Sequence, residues 1–329
     1  MTRVARWCSI LCALLAAPTL AVAQSTYPDR PVRFVVAFPP GGATDTFFRQ
    51  IQNELSQALG ASIVIENKGG AGGYVGWQMV ATSPADGYTF LVAENALAIN
   101  PALYKKHPSG FDPLRDYDAV VAMGSTPLVL TIANNIPANT FGEFVAWSKT
   151  QPQKFDYGSA GNGSVSHLTM EVILDGAGMQ AQHVPYRGGG PAAAAVVAGQ
   201  IAAVTSALPV AKAQMEGKTV KGLAVTSDKR APSLPDTPSL RGDLGLKMAD
   251  VALEFWWGIF APKGTPEPIR AKVEQAVKTT MANPAVRERL MKVDTDPSFA
   301  PGTALKVKLE NEIKNWSKFI DAKGIKVEQ

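Results

Sequence analysis

Residues 32–45 read VRFVVAFPPGGATD, and this stretch decides the fold. Its first half is a continuous run of β-branched, aromatic and other apolar residues, which is typical of a strand buried on both faces of a parallel sheet. The run stops at residues 39–42 (PPGG). Thr44 and Asp45 are residue types that cap helices, and residues 47–59 repeat apolar side chains at helical spacing. The stretch therefore predicts a strand, a tight loop and a helix in succession.

The same alternation continues along the chain. Further strands are predicted at residues 63–66, 88–93, 155–158, 184–186, 201–206, 220–226 and 255–261, and further helices at residues 75–81, 141–149, 165–174, 191–198, 266–281 and 305–322. Strands that alternate with helices predict an α/β fold with right-handed crossovers and helices on both faces of the sheet.

The chain is expected to divide into two lobes. Residues 119–131 have a strand-like pattern that is broken at residues 124–127 (GSTP), which suits a chain that leaves one lobe and enters another. Because the C-terminal helices are expected to pack on the first lobe, that lobe would comprise residues 24–124 and 228–329, and the second lobe residues 125–227. Each lobe would hold a mostly parallel sheet flanked by helices, with two crossovers between them.

The first residues have the features of a signal peptide. Arg3 and Arg6 form a basic head, residues 8–20 are almost entirely apolar, and Ala21-Val22-Ala23 is a small-residue cleavage site. The apolar stretch is shorter than the roughly 20 residues that a membrane-spanning helix needs. We therefore expect export to the periplasm with cleavage after Ala23.

Composition narrows the function further. The chain has 329 residues, 46% of them hydrophobic and 18% charged, as in ordinary globular proteins of about two domains. Its net charge of +4 is spread along the sequence, so we expect no nucleic-acid partner. Both cysteines, Cys8 and Cys12, belong to the predicted signal peptide, which excludes disulfides, thiolate catalysis and cysteine zinc sites from the mature chain.

Two glycine-rich loops could bind an anion. Residues 38–45 and residues 158–164 (GSAGNGS) each join the carboxyl end of a strand to the start of a helix, which is where ligands bind in open α/β sheets. Small residues let backbone N–H groups approach an anion, and a helix start adds unsatisfied donors and partial positive charge. The alternative is that each loop is only a tight turn with a helix cap.

Six segments resemble one known family when they are taken in order. They are residues 39–45, residues 66–73 (ENKGGAGG), residues 158–167, residues 184–188 (VPYRG), residues 223–238 (LAVTSDKRAPSLPDTP) and residues 261–266 (APKGTP). Together they resemble the tripartite tricarboxylate transporter solute receptors, also called the Bordetella uptake gene family. The resemblance covers essentially the whole mature chain.

The resemblance implies a fold and a function. The fold would be that of a type II periplasmic binding protein, with two α/β lobes that close over a carboxylated ligand and deliver it to the membrane permease subunits of a tripartite transporter. Such receptors hold the carboxylate with backbone amides, hydroxyls and ordered waters. The binding residues carried over to this chain are Gly42, Ala43 and Thr44 from the first loop and Ser159, Asn162, Gly163 and Ser164 from the second, with Tyr186 beside the cleft.

Other candidate ligand contacts are Phe38, which ends its strand beside the first loop, together with Glu94, Asn95 and Ser206. Glu94-Asn95 and Thr205-Ser206-Ala207 depart from what we expect of dicarboxylate receptors. Glu94 is either a solvated loop residue or an acceptor for an amine, amide or ring N–H at the far end of the ligand, which would disfavour a second carboxylate. The aromatic residues 255–257 (FWW) are interpreted as core rather than as a stacking surface for the ligand.

Enzyme functions are less well supported. Ser164 and His167 lie on one helix face, but the chain has no G-x-S-x-G elbow and no third group to orient such a pair. Residues 69–76 lack the Lys-Ser/Thr of a phosphate-binding loop. We therefore predict a monomeric receptor without catalytic residues, cofactor or metal. A ligand-sensing subunit for a membrane signalling partner remains the alternative, and a periplasmic hydrolase is a weaker one.

Overall fold

The structure is a computed structural model that describes residues 27–104 and 110–326. The predicted signal peptide and its cleavage site after Ala23 lie outside the described residues. Within those residues, no helix combines the length and the apolar character that crossing a bilayer would require.

Ten strands are described: β1 (Val32–Val36), β2 (Ile63–Asn67), β3 (Thr89–Glu94), β4 (Tyr117–Ala133), β5 (Phe155–Ser159), β6 (Ala181–Pro185), β7 (Ala203–Ala207), β8 (Val220–Val225), β9 (Glu254–Pro262) and β10 (Asp296–Pro301). They form one curled sheet in the order β2-β1-β3-β9-β4-β7-β5-β6, and β8 and β10 also pair with β4. The pairs β1–β2, β1–β3, β5–β6 and β5–β7 are parallel. The antiparallel pairs all involve β4 or β9 in the middle of the sheet.

The long strand β4 belongs to both halves of the sheet. Its residues from Tyr117 to Pro127 pair with β9, whereas Leu128 to Ala133 pair with β7 and β8. We call the half that holds β1, β2, β3, β9 and β10 the first lobe, and the half that holds β5 to β8 the second lobe. Gly124, at φ 63°, lies where the register of β4 against β9 shifts.

The chain passes back from the second lobe between Val225 and Glu254, and one side chain ties the two passages together. The Thr226 hydroxyl accepts the N–H of Leu128 at 2.9 Å and donates to the carbonyl of Leu253 at 2.5 Å. Thr226 is buried, so these hydrogen bonds are shielded from water. The two strands that connect the lobes are therefore held at one point.

The described helices are α1 (Ala43–Leu59), α2 (Tyr74–Ala81), α3 (Ala96–Leu103), α4 (Pro113–Asp116), α5 (Phe141–Thr150), α6 (Val165–Ala177), α7 (Gly189–Val197), α8 (Leu208–Glu216), α9 (Glu267–Ala282), α10 (Pro284–Lys292) and α11 (Gly302–Lys323). A 3₁₀ turn, Ala71–Gly73, precedes α2. Of the C-terminal helices, α9 packs on α1, and α11 packs on α3 and β4. Each lobe has its own large apolar core, the first built around β1, β3 and β9 and the second around β5 and β7.

Several elements depart from the sequence prediction. Helices α3, α4, α8 and α10 and strand β10 were not predicted from the sequence. Helix α3 contains Pro101 in its interior, α8 is short with a proline in its first turn, and β10 (DPSFAP) carries two prolines. Proline disfavours the interior of a helix and of a strand, so tertiary packing decides the structure of α3 and β10. The strands at residues 32–38 and 184–186 are also shifted, to Val32–Val36 and Ala181–Pro185.

A glycine substitution tests how closely the passage between the lobes is packed. A Cβ at Gly124 would lie 2.8 Å from the Phe47 ring, and Phe47 stacks on Trp257 with ring centroids 4.1 Å apart. We expect Gly124→Ala to lower the free energy of unfolding by about 2–3 kcal/mol, because overpacking adds to the cost of a positive φ.

Gly60→Ala is the matched control, because Gly60 has φ 78° and open space around the added Cβ. It should lower the free energy of unfolding by about 1 kcal/mol, and urea titration measures the loss for both variants. Equal losses for the two variants would show that Phe47 is not held against this passage.

Candidate functional site

A cavity of about 230 Å³ lies between the two lobes. Four helices begin along its wall, since its lining includes Ala43 of α1, Val165 of α6, Gly189 of α7 and Val210 in the first turn of α8. Helix starts carry backbone N–H groups without intrahelical partners and a partial positive charge. The wall of the cavity therefore carries the partial positive charge of several helix starts.

The first-lobe wall is the loop from Phe38 to Gly42 with the start of α1. Gly42 is the N-cap, and no side chain among the described residues caps this helix. Asp45 instead fixes the loop, because its carboxylate accepts the N–H of Gly41 at 2.9 Å and pairs with Arg49. Although burial acts to raise the pKa of Asp45, its hydrogen bonds from Arg49, Gly41 and Asn67 bring that pKa below the ordinary value. Asp45 therefore shapes the loop and leaves the first-turn N–H groups of α1 for a ligand.

A buried hydrogen-bond chain connects this wall to the floor of the cavity. Trp257 Nε1 donates to Thr44 Oγ1 at 3.1 Å, and Thr44 Oγ1 donates to Glu94 Oε2 at 2.8 Å. Glu94 ends β3, opposite Trp257 in the β3–β9 register, and is only 6% exposed. Burial raises the pKa of its carboxyl to about 7, and the bond from Thr44 opposes that rise. Glu94 is thus a cavity residue held in place, and the interpretation of it as a solvated loop residue is wrong.

The second-lobe loop is braced by two stacked histidines. His167 Nδ1 accepts the N–H of Gly163 at 3.2 Å, and the rings of His167 and His183 stack with centroids 3.8 Å apart. His183 Nε2 lies 2.6 Å from Ser159 Oγ. Burial lowers the pKa of His183 to about 4 and that of His167 well below its ordinary value. Both rings are therefore neutral near pH 7.

Ser164 and His167 do not form a nucleophile–base pair. The Ser164 hydroxyl donates to the carbonyl of Gly161 at 2.7 Å and caps α6 by accepting the N–H of His167. The His167 ring accepts from the backbone of Gly163, so both groups hold the loop in shape. His167 thus braces the second loop and has no catalytic partner in Ser164.

The start of α7 forms the third part of the wall. Gly188 is its N-cap, and no described side chain caps the helix. Gly188, Gly189 and Gly190 all line the cavity, as does Arg187. Arg187 is exposed and makes no hydrogen bond or ion pair with another described residue. The cavity therefore has a free guanidinium group beside an uncapped helix start.

The predicted site residues divide into two groups. Those that line the cavity are Phe38, Gly42, Ala43, Thr44, Glu94, Ser164 and Ser206. Those outside its lining are Asn95, Ser159, Asn162, Gly163 and Tyr186. Asn95 is fully buried and donates from Nδ2 to the carbonyl of Glu254 at 2.9 Å, and Tyr186 packs beside Gly158 behind the loop.

Sequence reasoning missed several lining residues: Ala160, Ser166, Arg187, Gly188, Gly189, Gly190, Thr205 and Phe255. The VPYRG segment and the early proline of α7 were a usable signal for the glycines and Arg187. The predicted burial of residues 255–257 is confirmed, and Phe255 also borders the cavity.

Asn100 joins the two lobes behind the cavity. Its Nδ2 donates to the carbonyls of Gly72 and Gly163, both at 3.3 Å, so one amide contacts both lobes. Gly163 has φ 73°, and a Cβ there would lie 2.1 Å from Asn100 Oδ1. Gly163 is therefore required by Asn100 and does not border the ligand space.

Comparisons with known proteins agree with this architecture. Residues 47–325 match the model of the tripartite tricarboxylate transporter family receptor. The structure of the periplasmic binding protein BugD superimposes with a TM-score of 0.83 at 30% identity, covering 91% of this chain and 99% of BugD. MatC from Rhodopseudomonas palustris, solved with bound malate, gives a TM-score of 0.80 at 30% identity, covering 89% of this chain and 100% of that one.

A further R. palustris protein, solved with adipate, gives a TM-score of 0.85 at 28% identity, with 91% of this chain and 99% of that protein covered. The predicted fold class, an α/β periplasmic-binding-protein type with flanking helices, is confirmed by these similarities.

Asn100 and Gly163 should be coupled in stability. We expect Gly163→Ala to cost about 2–3 kcal/mol in the wild-type background and about 1 kcal/mol in an Asn100→Ala background, because the second change removes the atom that the new Cβ strikes. Chemical denaturation of the four proteins of this cycle measures the coupling. Gly178→Ala, at φ 61° with open space, isolates the cost of a positive φ. Additive losses would contradict the contact.

Proposed function

Because the chain belongs to the family of tripartite tricarboxylate transporter receptors, as its motifs predicted, we propose that it is an extracytoplasmic receptor for a small carboxylated organic compound. In this proposal the signal peptide is removed after Ala23 and the mature protein is a periplasmic monomer. It binds its ligand in the cavity between the lobes and delivers it, chemically unchanged, to the membrane permease subunits of a tripartite transporter.

The observation that carries the proposal is the convergence of helix starts on the cavity. The uncapped starts of α1 and α7 come from opposite lobes, and Arg187 adds a full positive charge beside α7. A carboxylate between them would gain charge-assisted hydrogen bonds from backbone N–H groups. The Ser206 hydroxyl is a further polar group in the lining, whereas the hydroxyl protons of Thr44 and Ser164 are directed at Glu94 and at the Gly161 carbonyl.

The ligands of related structures support the same chemical class. Malate and adipate, which are bound in the two R. palustris relatives, are both small organic acids with carboxylate groups. Both relatives share the fold of this chain over nearly their full length. We therefore propose that the ligand of this chain is a carboxylate, and that the other lining residues select the rest of the ligand.

We further propose that the two lobes close over the ligand, because they already contact each other beside and behind the cavity. The glycine at position 188 lies against Pro39 across the cavity, and Asn100 bonds to Gly163 of the second lobe. These contacts link the two lobes in the described structure. In the open form the lobes, residues 24–124 with 228–329 and residues 125–227, would separate about the segments near 124–127 and 229–238.

Charge at the start of α7 tests the anion site. Gly189 lines the cavity and has open space around an added Cβ, so Gly189→Asp places a carboxylate there without a clash. We expect it to weaken binding of the tightest acid in a panel of butanoate, hexanoate, malate and adipate by at least about tenfold. Calorimetry measures the dissociation constants.

Gly189→Asn is the matched control, since it has nearly the same shape without the charge. It should weaken binding by less than about threefold. If the two variants lose affinity equally, the electrostatic part of the proposal is wrong.

Solution scattering tests closure of the lobes, and mass spectrometry of the recovered ligand tests turnover. On addition of a binding acid, the radius of gyration should fall as the population shifts to the closed form. The acid recovered after denaturation of the complex should be unchanged by mass spectrometry. A constant radius of gyration would contradict closure, and a converted ligand would point to an enzyme.

A further inference from the structure

Glu94 places an ionisable acceptor inside a cavity that otherwise suits anions. Only 6% of Glu94 remains exposed, and the residue borders the cavity. Oε2 is bonded by Thr44, whereas Oε1 has no hydrogen-bond partner among the described residues. Because Oε1 is not enclosed by the protein and Glu94 borders the cavity, this oxygen can accept a hydrogen bond from a group that the ligand supplies.

When Glu94 is ionised, the hydrogen bonds around it require that the ligand group be a donor. An indole N–H can only donate, so Trp257 obliges the Thr44 oxygen to accept. The Thr44 hydroxyl proton is then directed at Glu94 Oε2. Ionised Glu94 therefore keeps its remaining lone pairs for a donor from the ligand, and it would repel a carboxylate placed against it.

No other charged side chain on the packed elements compensates for Glu94. In the described structure β3 packs on β1, β9 and the helices α1, α2 and α3. On β1, Arg33 pairs with Glu66. On α1, Asp45 pairs with Arg49, and Glu54 pairs with Arg289. On β9, the carboxyl of Glu254 lies beside Lys308 and Ser125. The raised pKa of Glu94 has burial as its main cause. Across the cavity the charged lining residue is Arg187.

The cavity is thus electrically asymmetric. Glu94 belongs to the first lobe, whereas Arg187 and the uncapped start of α7 belong to the second. Phe38, Phe255 and Val204 line the space and give it apolar walls. A ligand whose two ends carried opposite charges would match this arrangement better than one with two carboxylates.

We infer, on the basis of the proposed function, that the cleft selects acids whose far end carries a cationic amine, which Glu94 binds while the carboxylate faces Arg187 and the start of α7. The ligand class is that of small amino acids with an apolar body, including acids whose amine lies at the end of the chain. Glu94 is then the residue that discriminates against dicarboxylates.

Length-matched acids that differ in one end group test this inference. The panel is butanoate, 4-aminobutanoate and succinate, and hexanoate, 6-aminohexanoate and adipate. At pH 8, where Glu94 is ionised, wild-type protein should bind the better of the two amino acids at least about tenfold more tightly than the dicarboxylate of the same length. Calorimetry provides the dissociation constants, and no variant is needed for this comparison.

Glu94→Gln keeps the shape of the side chain and removes its charge. We expect the preference for the amine over the dicarboxylate to fall to within about threefold in this variant, with thermal unfolding confirming that it is folded. In the wild-type protein, affinity for the amino acid should rise about tenfold from pH 6 to pH 8, because a pKa near 7 leaves most of Glu94 protonated at the lower pH. The variant should lack this dependence.

The possible outcomes separate the inference about Glu94 from the proposal of a carboxylate receptor. A dicarboxylate that binds as tightly as the amino acid, or more tightly as the pH falls, would overturn the inference and make protonated Glu94 a donor to a second carboxylate. An amine preference that persists in Glu94→Gln would also overturn it. Binding of hexanoate or adipate without discrimination of end groups would still support the carboxylate receptor, whereas no binding of any acid would contradict both proposals.

Discussion

The structure depends on one strand that the two lobes share. β4 satisfies its backbone hydrogen bonds with β9 and β10 in the first lobe and with β7 and β8 in the second, so neither half of the sheet ends in an open edge at the junction. Thr226 binds the returning passage to Leu128 of this strand. Because the junction is a continuous sheet, relative motion of the lobes must be taken up by twisting at a few residues, and Gly124 with its positive φ lies among them.

This junction also determines where the ligand site is. The parallel strands of each lobe end toward the space between the lobes, so the loops that follow β1, β5 and β6 meet there with the helices they begin. Each helix contributes only a weak field, but α1, α6, α7 and α8 are brought to one cavity by strand order alone. The proposed anion site therefore needs no charged cluster in the sequence, because the order of the strands brings the helix starts together.

Local chemistry explains what could be predicted from the sequence. The strand, loop and helix at residues 32–59 follow from apolar runs, prolines and glycines that act within a few residues. The family resemblance then pointed to Gly42, Ala43 and Thr44 within that loop as binding residues. The same resemblance predicted that Gly163 contacts the ligand, yet Gly163 packs against Asn100, which is 63 residues away. The lining by Gly188 and Arg187 depends on how β5, β6 and β7 are ordered in space, which periodicity does not encode. Helix α3, which supplies Asn100, was missed because its interior proline argues against a helix.

Glu94 shows how a side chain can change the selectivity of a site that backbone groups create. The start of α1 attracts negative charge, and Glu94 already places a carboxylate next to it through Thr44. The first lobe is thereby less favourable for the anionic end of a ligand, whereas the start of α7 and Arg187 remain free in the second lobe. The carboxylate would then bind to the second lobe in the open form, and closure would bring Glu94 against the other end. On this view the closing movement itself tests the far end of the ligand, because only a compatible group lets Glu94 enter the closed cavity without an unpaired charge.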